Sequence, residues 1–160
     1  MRRKREVFRV PRTGVVILAI DILIIIGMLV FIRFYYKGAP ISSHTHKGVE
    51  YRLIVSPIKG GTDYRIRLSM RNNGEERKRL SFKIPMCEFI IKKGEEEIWR
   101  KGMGEEGEIV LEPDQRYELV SIWDQYDREG KMVEAGEYRV IAWVNHDPPY
   151  SIATRLRVRE

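Results

Sequence analysis

Eighteen consecutive residues, Val15 to Ile32 (VVILAIDILIIIGMLVFI), carry a single charge, Asp21. As a helix they would rise about 27 Å at 1.5 Å per residue, close to the hydrocarbon thickness of a bilayer. The run is longer than the apolar core of a secretory signal, and Lys37 stands where a cleavage site needs a small residue. A core helix would place polar residues every third or fourth position, and this run does not. Arg2, Arg3, Lys4, Arg5, Arg9 and Arg12 precede it, whereas only Arg33 and Lys37 follow closely. Basic flanks stay in the cytoplasm. The pattern therefore predicts a cytoplasmic tail over 1–12, a transmembrane anchor over 13–36, a linker over 37–48 and a folded extracytoplasmic domain over 49–160. A carboxylate in mid-span costs a few kcal/mol, which makes Asp21 a candidate intramembrane contact with a partner helix.

The formal net charge of +6 suggests a polyanion partner until it is divided along the chain. Of 29 Lys/Arg and 23 Asp/Glu, eight and two fall in residues 1–37, which leaves 21 of each for residues 38–160. The excess lies entirely at the expected anchor, and the domain has no net field to attract nucleic acid. Cys87 is the one cysteine, so an intrachain disulfide is excluded. It sits in the apolar stretch MCEFII and reads as a packing thiol.

Beyond Val49 the hydrophobic period is two. In residues 63–72, Tyr64, Ile66, Leu68 and Met70 alternate with Arg65, Arg67, Ser69 and Arg71, the pattern of a strand with one dry face. Further strands are predicted near 49–56, 79–84, 87–92, 96–100, 108–111, 115–123, 136–144 and 153–158. Gly, Pro and Asp clusters separate them at intervals of about eight to twelve residues, which predicts an antiparallel β-sandwich. Trp99, Trp123, Trp143 and Tyr138 are its expected core or rim aromatics.

Chemistry is hard to find. There is no Gly-rich phosphate loop, nucleophile elbow or zinc spacing. His44 and His46 fall in the polar segment GAPISSHTHK and read as solvated linker rather than as metal ligands. His146 neighbours Asp147 in a Pro-rich turn, with no nucleophile nominated beside it. The acidic groups Glu95–Glu97, Glu105 with Glu106, and Asp124 with Asp127 lack the alternating ligands of a calcium loop. The expectation is a non-enzyme with no cofactor and no metal.

One stretch carries a resemblance. Residues 68–144 order an alternating strand ending in Asn72-Asn73-Gly74, then Leu80-Ser81-Phe82, Glu88-Phe89-Ile90-Ile91, Gly94 and Glu97-Ile98-Trp99-Arg100. Leu111-Glu112-Pro113-Asp114-Gln115, Trp123-Asp124 and Ala135-Gly136-Glu137-Tyr138-Arg139-Val140 follow. This order resembles the intracellular proteinase inhibitor (BsuPI-type) domain family. Asp114 stands where the family usually has Gly, and Met103 where it often has an aromatic. The resemblance implies an immunoglobulin-like antiparallel β-sandwich, here behind a transmembrane helix, and inhibition of serine proteases.

The resulting functional expectation is a membrane-anchored protein-binding module. A serine protease inhibitor or regulator at the cell surface is the alternative, and an envelope scaffold subunit a further one. The expected contact loops are 101–107, 124–135 and 145–151. Their candidate residues are Met103, Glu105, Glu106, Asp124, Asp127, His146 and Pro148, and Met103 or the segment ahead of Pro148 is the candidate for entering a protease cleft.

Overall fold

An extended chain sends successive side chains to opposite faces, so alternating apolar and polar residues make one dry and one wet surface. The computed structural model describes residues 21–22, 24–28 and 41–159 and turns this alternation into nine strands. In chain order they are β1 (Ile41–His46), β2 (Val49–Pro57), β3 (Tyr64–Asn72), β4 (Lys78–Lys93), β5 (Glu96–Met103), β6 (Gly107–Leu111), β7 (Arg116–Trp123), β8 (Gly136–His146) and β9 (Tyr150–Val158). The chain divides into two units, Met1–Gly38 and Ala39–Glu160, and every strand belongs to the second.

All strand pairs are antiparallel. One sheet has the order β1-β2-β3-β7, and the other β5-β4-β8-β9 with β6 also on β4. Their dry faces meet in one core. Tyr51, Leu53, Ile66, Leu68 and Trp123 come from the first sheet, and Phe89, Ile91, Tyr138, Val140 and Leu156 from the second. Burying each large side chain contributes about 1.5–3 kcal/mol. Cys87 is buried among them, and burial pushes its thiol up to about 12, which makes it inert. Trp143, by contrast, is 41% exposed on the outer face of β8.

Two expected strands, 79–84 and 87–92, are one. β4 pairs through 78–82 with β6 and through 87–93 with β5. Between them it bulges, since Phe82 faces His146 while Cys87 faces Val144. The segment read as linker contains β1, whose polar sequence hid it. Asn73-Gly74 does not close a tight hairpin; the chain crosses there from the first sheet to the second. Buried Asn72 organises that crossing. Its Nδ2 donates to the carbonyls of Glu76 (2.7 Å) and Leu111 (2.9 Å), and its Oδ1 accepts from the Gly74 amide (2.9 Å).

The anchor expected over 13–36 is corrected. Among the described residues no helix is long and apolar enough to cross a membrane. Most of Val15–Ile32 lies outside the described residues, as does the tail over 1–12; the helical residues described are Asp21, Ile22 and 24–28. Run length, apolar composition and basic flanks supplied the expectation, and none of them observes a helix that spans. The membrane as a partner and the single-pass topology, with its cytoplasmic and extracytoplasmic sides, lose their support. So does Asp21 as an intramembrane contact; it is an exposed helical residue. The two-sheet antiparallel fold stands, with no membrane-spanning helix among the described residues.

Candidate functional site

The β1–β2 hairpin turns on Lys47 and Gly48, both in the left-handed region (φ 50° and 79°). Such a two-residue reversal matches the twist of paired strands. It sets His44 opposite Tyr51 and His46 opposite Val49. Directly opposed residues share a face, and Tyr51 and Val49 are in the core, so both histidines lie on the inward face. The Asn73 amide donates to the Gly48 carbonyl (3.0 Å), which holds the hairpin against the 73–77 crossing. Lys78 opens β4 directly after that crossing. Its Cε lies 3.2 Å from where a Cβ on Gly48 would stand, so the side chain reaches from the second sheet across to the turn.

Here the two sheets leave a cleft of about 460 Å³. His46, Lys47 and Tyr51 line it from the first sheet, and Lys78, Arg79, His146 and Asp147 from the second. The hydroxyl of Tyr51 is 2.8 Å from Nε2 of His146, and both side chains are buried. Burial pushes the Tyr51 phenol up to about 12, with the neighbouring Tyr150 adding to it. Burial also holds His146 below its usual value, assisted by His46 and Lys47 and opposed by the Pro148 backbone carbonyl and by Asp147. Both groups are therefore neutral near pH 7. One ring nitrogen of a neutral histidine donates and the other accepts. The Tyr51 hydroxyl and His146 Nε2 thus share one hydrogen bond, whose direction follows the tautomer.

Aromatic rings complete the wall. Tyr150, the first residue of β9, has its ring 4.5 Å from that of Tyr51. It stacks on His46 at 5.2 Å and 16°, and on His44 at 6.0 Å and 8°. Phe82 meets His146 edge-on at 6.0 Å. The three histidines of the chain thus gather at one end of the domain. Nε2 of His46 is buried without a hydrogen-bond partner among the described residues. An orphan of this kind inside a protein costs about 1–3 kcal/mol unless something satisfies it. Among the described residues neither Lys47 nor Lys78 has a carboxylate within ion-pairing distance, and no cluster of His, Cys, Asp or Glu has metal-binding geometry.

The residues singled out from the sequence are not brought together. Met103 is half-buried at the end of β5 and packs on the core. The following Gly104 sits so close to Met86 that an added Cβ would fall 2.7 Å from the Met86 Cβ. Met103 is therefore no protruding side chain for a protease. Glu105 and Glu106 are exposed on the β5–β6 connection. Asp124 accepts from the Tyr126 amide (3.2 Å), and Asp127 from the amides of Glu129 (2.8 Å) and Lys131 (2.9 Å). Those carboxylates shape their own loop. That loop leads into Gly136 at the start of β8, whereas His146 ends the strand, roughly 33 Å away at 3.3 Å per residue. Pro148 is exposed in the β8–β9 turn. His146 alone belongs to the cleft, as a buried strand residue rather than a solvated one.

His46, Lys47, Tyr51, Lys78 and Tyr150 were not singled out as site residues. One signal was available: ISSHTH, then Lys47-Gly48, then VEYRLIV is two strands around a two-residue turn.

No protein-family model matches the chain, and no curated protein matches it. Among solved structures, the β-glucosidase EmGH1 from Erythrobacter marinus is 15% identical over 74% of this chain, with a TM-score of 0.39. β-Glucosidase 3B from Thermotoga neapolitana, in complex with glucose, is 20% identical over 77% of this chain, with a TM-score of 0.33. A Bordetella pertussis protein described as ApaA is 14% identical over 75% of this chain and 94% of its own, with a TM-score of 0.37. The chain covers 15% and 17% of the two glucosidases. Likenesses this distant carry no argument about fold or function. The resemblance to the BsuPI-type inhibitor family is corrected accordingly: no family model supports it. Its short turn and strand motifs recur wherever antiparallel strands are joined. The immunoglobulin-like label, protease inhibition and the protease partner fall with it. The anchored protein-binding module and the envelope scaffold had rested on the anchor as well, and they fall too.

Proposed function

We propose that the strand domain is a non-catalytic binding domain whose ligand is a small polar molecule seated in the cleft between the β1–β2 turn and β4. The observation that carries this reading is the cleft itself. Its volume of about 460 Å³ lies within the few-hundred-Å³ range of small-molecule sites. Its wall combines aromatic rings with a few polar groups, the mixture such sites use.

A catalytic role is disfavoured by the chemistry of the pair. A nucleophile must lose its proton to an adjacent base. The hydroxyl paired with His146 is the Tyr51 phenol, whose burial makes that proton harder to remove, while burial also keeps the imidazole from gaining one. The Tyr51–His146 pair serves instead as a rigid floor.

Amide chemical shifts of the full chain, followed against a library of neutral and charged small molecules, test this. Saturable shifts confined to Gly48, Leu80 and the Asn145–Asp147 segment are expected. Shifts elsewhere only, or none, overturn it.

A further inference from the structure

The charged groups around the cleft are unevenly matched. Lys47 stands at its turn and Lys78 reaches across to that turn, and neither has an acidic partner among the described residues. Arg79 also lines the cleft but is engaged by Glu108 at 3.4 Å. Asp147 is the one carboxylate on the lining. The domain as a whole is neutral, with 21 basic and 21 acidic residues left to residues 38–160 once eight of 29 and two of 23 are assigned to residues 1–37. The imbalance is therefore local to this end.

Backbone geometry builds the arrangement. Lys47 lies in the left-handed region, rare for a side chain of its kind, and Gly48 follows with φ 79°. Glycine at 48 lets Lys78 lie close over the turn, where a Cβ would press on its Cε. The Asn73–Gly48 hydrogen bond fixes the separation of the two lysine-bearing segments.

We propose that the cleft is a receptor for an oxyanion, a carboxylate or a phosphate group, held between the ammonium groups of Lys47 and Lys78. The proposal rests on the cleft being a ligand site and names the chemistry of what enters it. Charge-assisted hydrogen bonds are the stronger kind, and they are shielded from salt where the site is partly closed. Val49, Tyr51 and Leu80 leave an apolar wall for the rest of the ligand.

Inorganic phosphate and succinate, titrated separately into the full chain at low ionic strength, test the assignment. The readouts are the His46 ring resonances and the amide of Gly48. Saturable shifts with at least one of the two anions are expected, and the anion that binds identifies the source. Lys78→Gln should weaken that binding about tenfold or more, equivalent to one charge-assisted contact. Lys47→Asn, which keeps a residue tolerant of the left-handed region while removing the charge, should do the same. It serves as the second variant should Lys78→Gln fail to fold. Anion binding unchanged in both variants overturns the proposal. If neutral library members shift the cleft but neither anion does, the oxyanion assignment fails while the binding-domain reading survives. If nothing shifts the cleft, both fail.

Discussion

The two ends of the strand domain are built from similar residue types put to different use. At the end where β3 begins, Tyr64 pairs with Trp123, and the 124–135 connection closes over them. Most of its polar groups are consumed internally, with Ser121 Oγ buried without a partner among the described residues. Nε1 of Trp123 donates to the Tyr126 carbonyl (3.0 Å), Asp127 collects two backbone amides, and the Tyr138 hydroxyl donates to the Glu134 carbonyl (2.7 Å). Nε2 of Gln125 donates to the Thr62 carbonyl. At the other end, where Asn72 pairs with Val49, a ring nitrogen has no partner and two lysines beside the cleft have no carboxylate among the described residues. A buried polar group satisfied within the chain is accounted for by folding. One left unsatisfied beside a cavity points to something outside the chain. Carboxylates are plentiful at the first end, yet they are its structural parts; the second end is where chemistry is available.

The largest expected effect breaks the closed end. Trp123 is fully buried, and Trp123→Ala removes its ring, opens a cavity and frees the Tyr126 carbonyl. The expected loss is about 3–5 kcal/mol in urea-denaturation stability. Whatever fraction remains folded should keep its cleft, so ligand-induced shifts at Gly48 should survive. Their disappearance in folded protein would mean that the ends are not independent.

The next effect works on the cleft end. Tyr51→Phe keeps the core ring but leaves Nε2 of His146 buried without its 2.8 Å partner. A loss of about 1–3 kcal/mol is expected, read by the same denaturation measurement. A neutral result would show that the pair is not held in a dry floor.

Much of the architecture was legible because it is local. The alternation in residues 63–72 gives β3 and its dry face directly, and Tyr138 could be expected to point its ring inward and bond its hydroxyl to backbone. The Asp127 loop is local too, since an Asx side chain finds amides two and four residues ahead. The cleft is not local. Tyr51 and His146 lie 95 residues apart. Lys78 meets Gly48 only because the β3–β4 connection crosses between sheets. His44 and His46 looked like linker because their neighbours are Ser and Thr, and a half-buried edge strand needs few apolar residues. The apolar run Val15–Ile32 misled for the opposite reason, because hydropathy was allowed to stand for topology.

The smallest expected effect separates the two ends by pH. The chain's three histidines are His44, His46 and His146, so the closed end has none to titrate in this range. His146 is held below its usual value near 6.5, chiefly by burial and then by His46 and Lys47, against the Pro148 carbonyl and Asp147, with the Tyr51 hydroxyl on Nε2. As pH falls, the unfolded chain therefore takes up a proton on this histidine before the folded domain does. Stability rises with pH wherever the unfolded state holds more protons. The domain should thus lose stability as pH drops from neutrality through about 6.5, and the loss should continue until the folded ring protonates as well. His146→Gln retains an acceptor for Tyr51 without the titration. Its stability, measured by urea denaturation at a series of pH values, should change less over the same window than that of the unsubstituted chain. Equal slopes would place the proton uptake elsewhere and remove the asymmetry between a closed end indifferent to pH and a cleft end that responds to it.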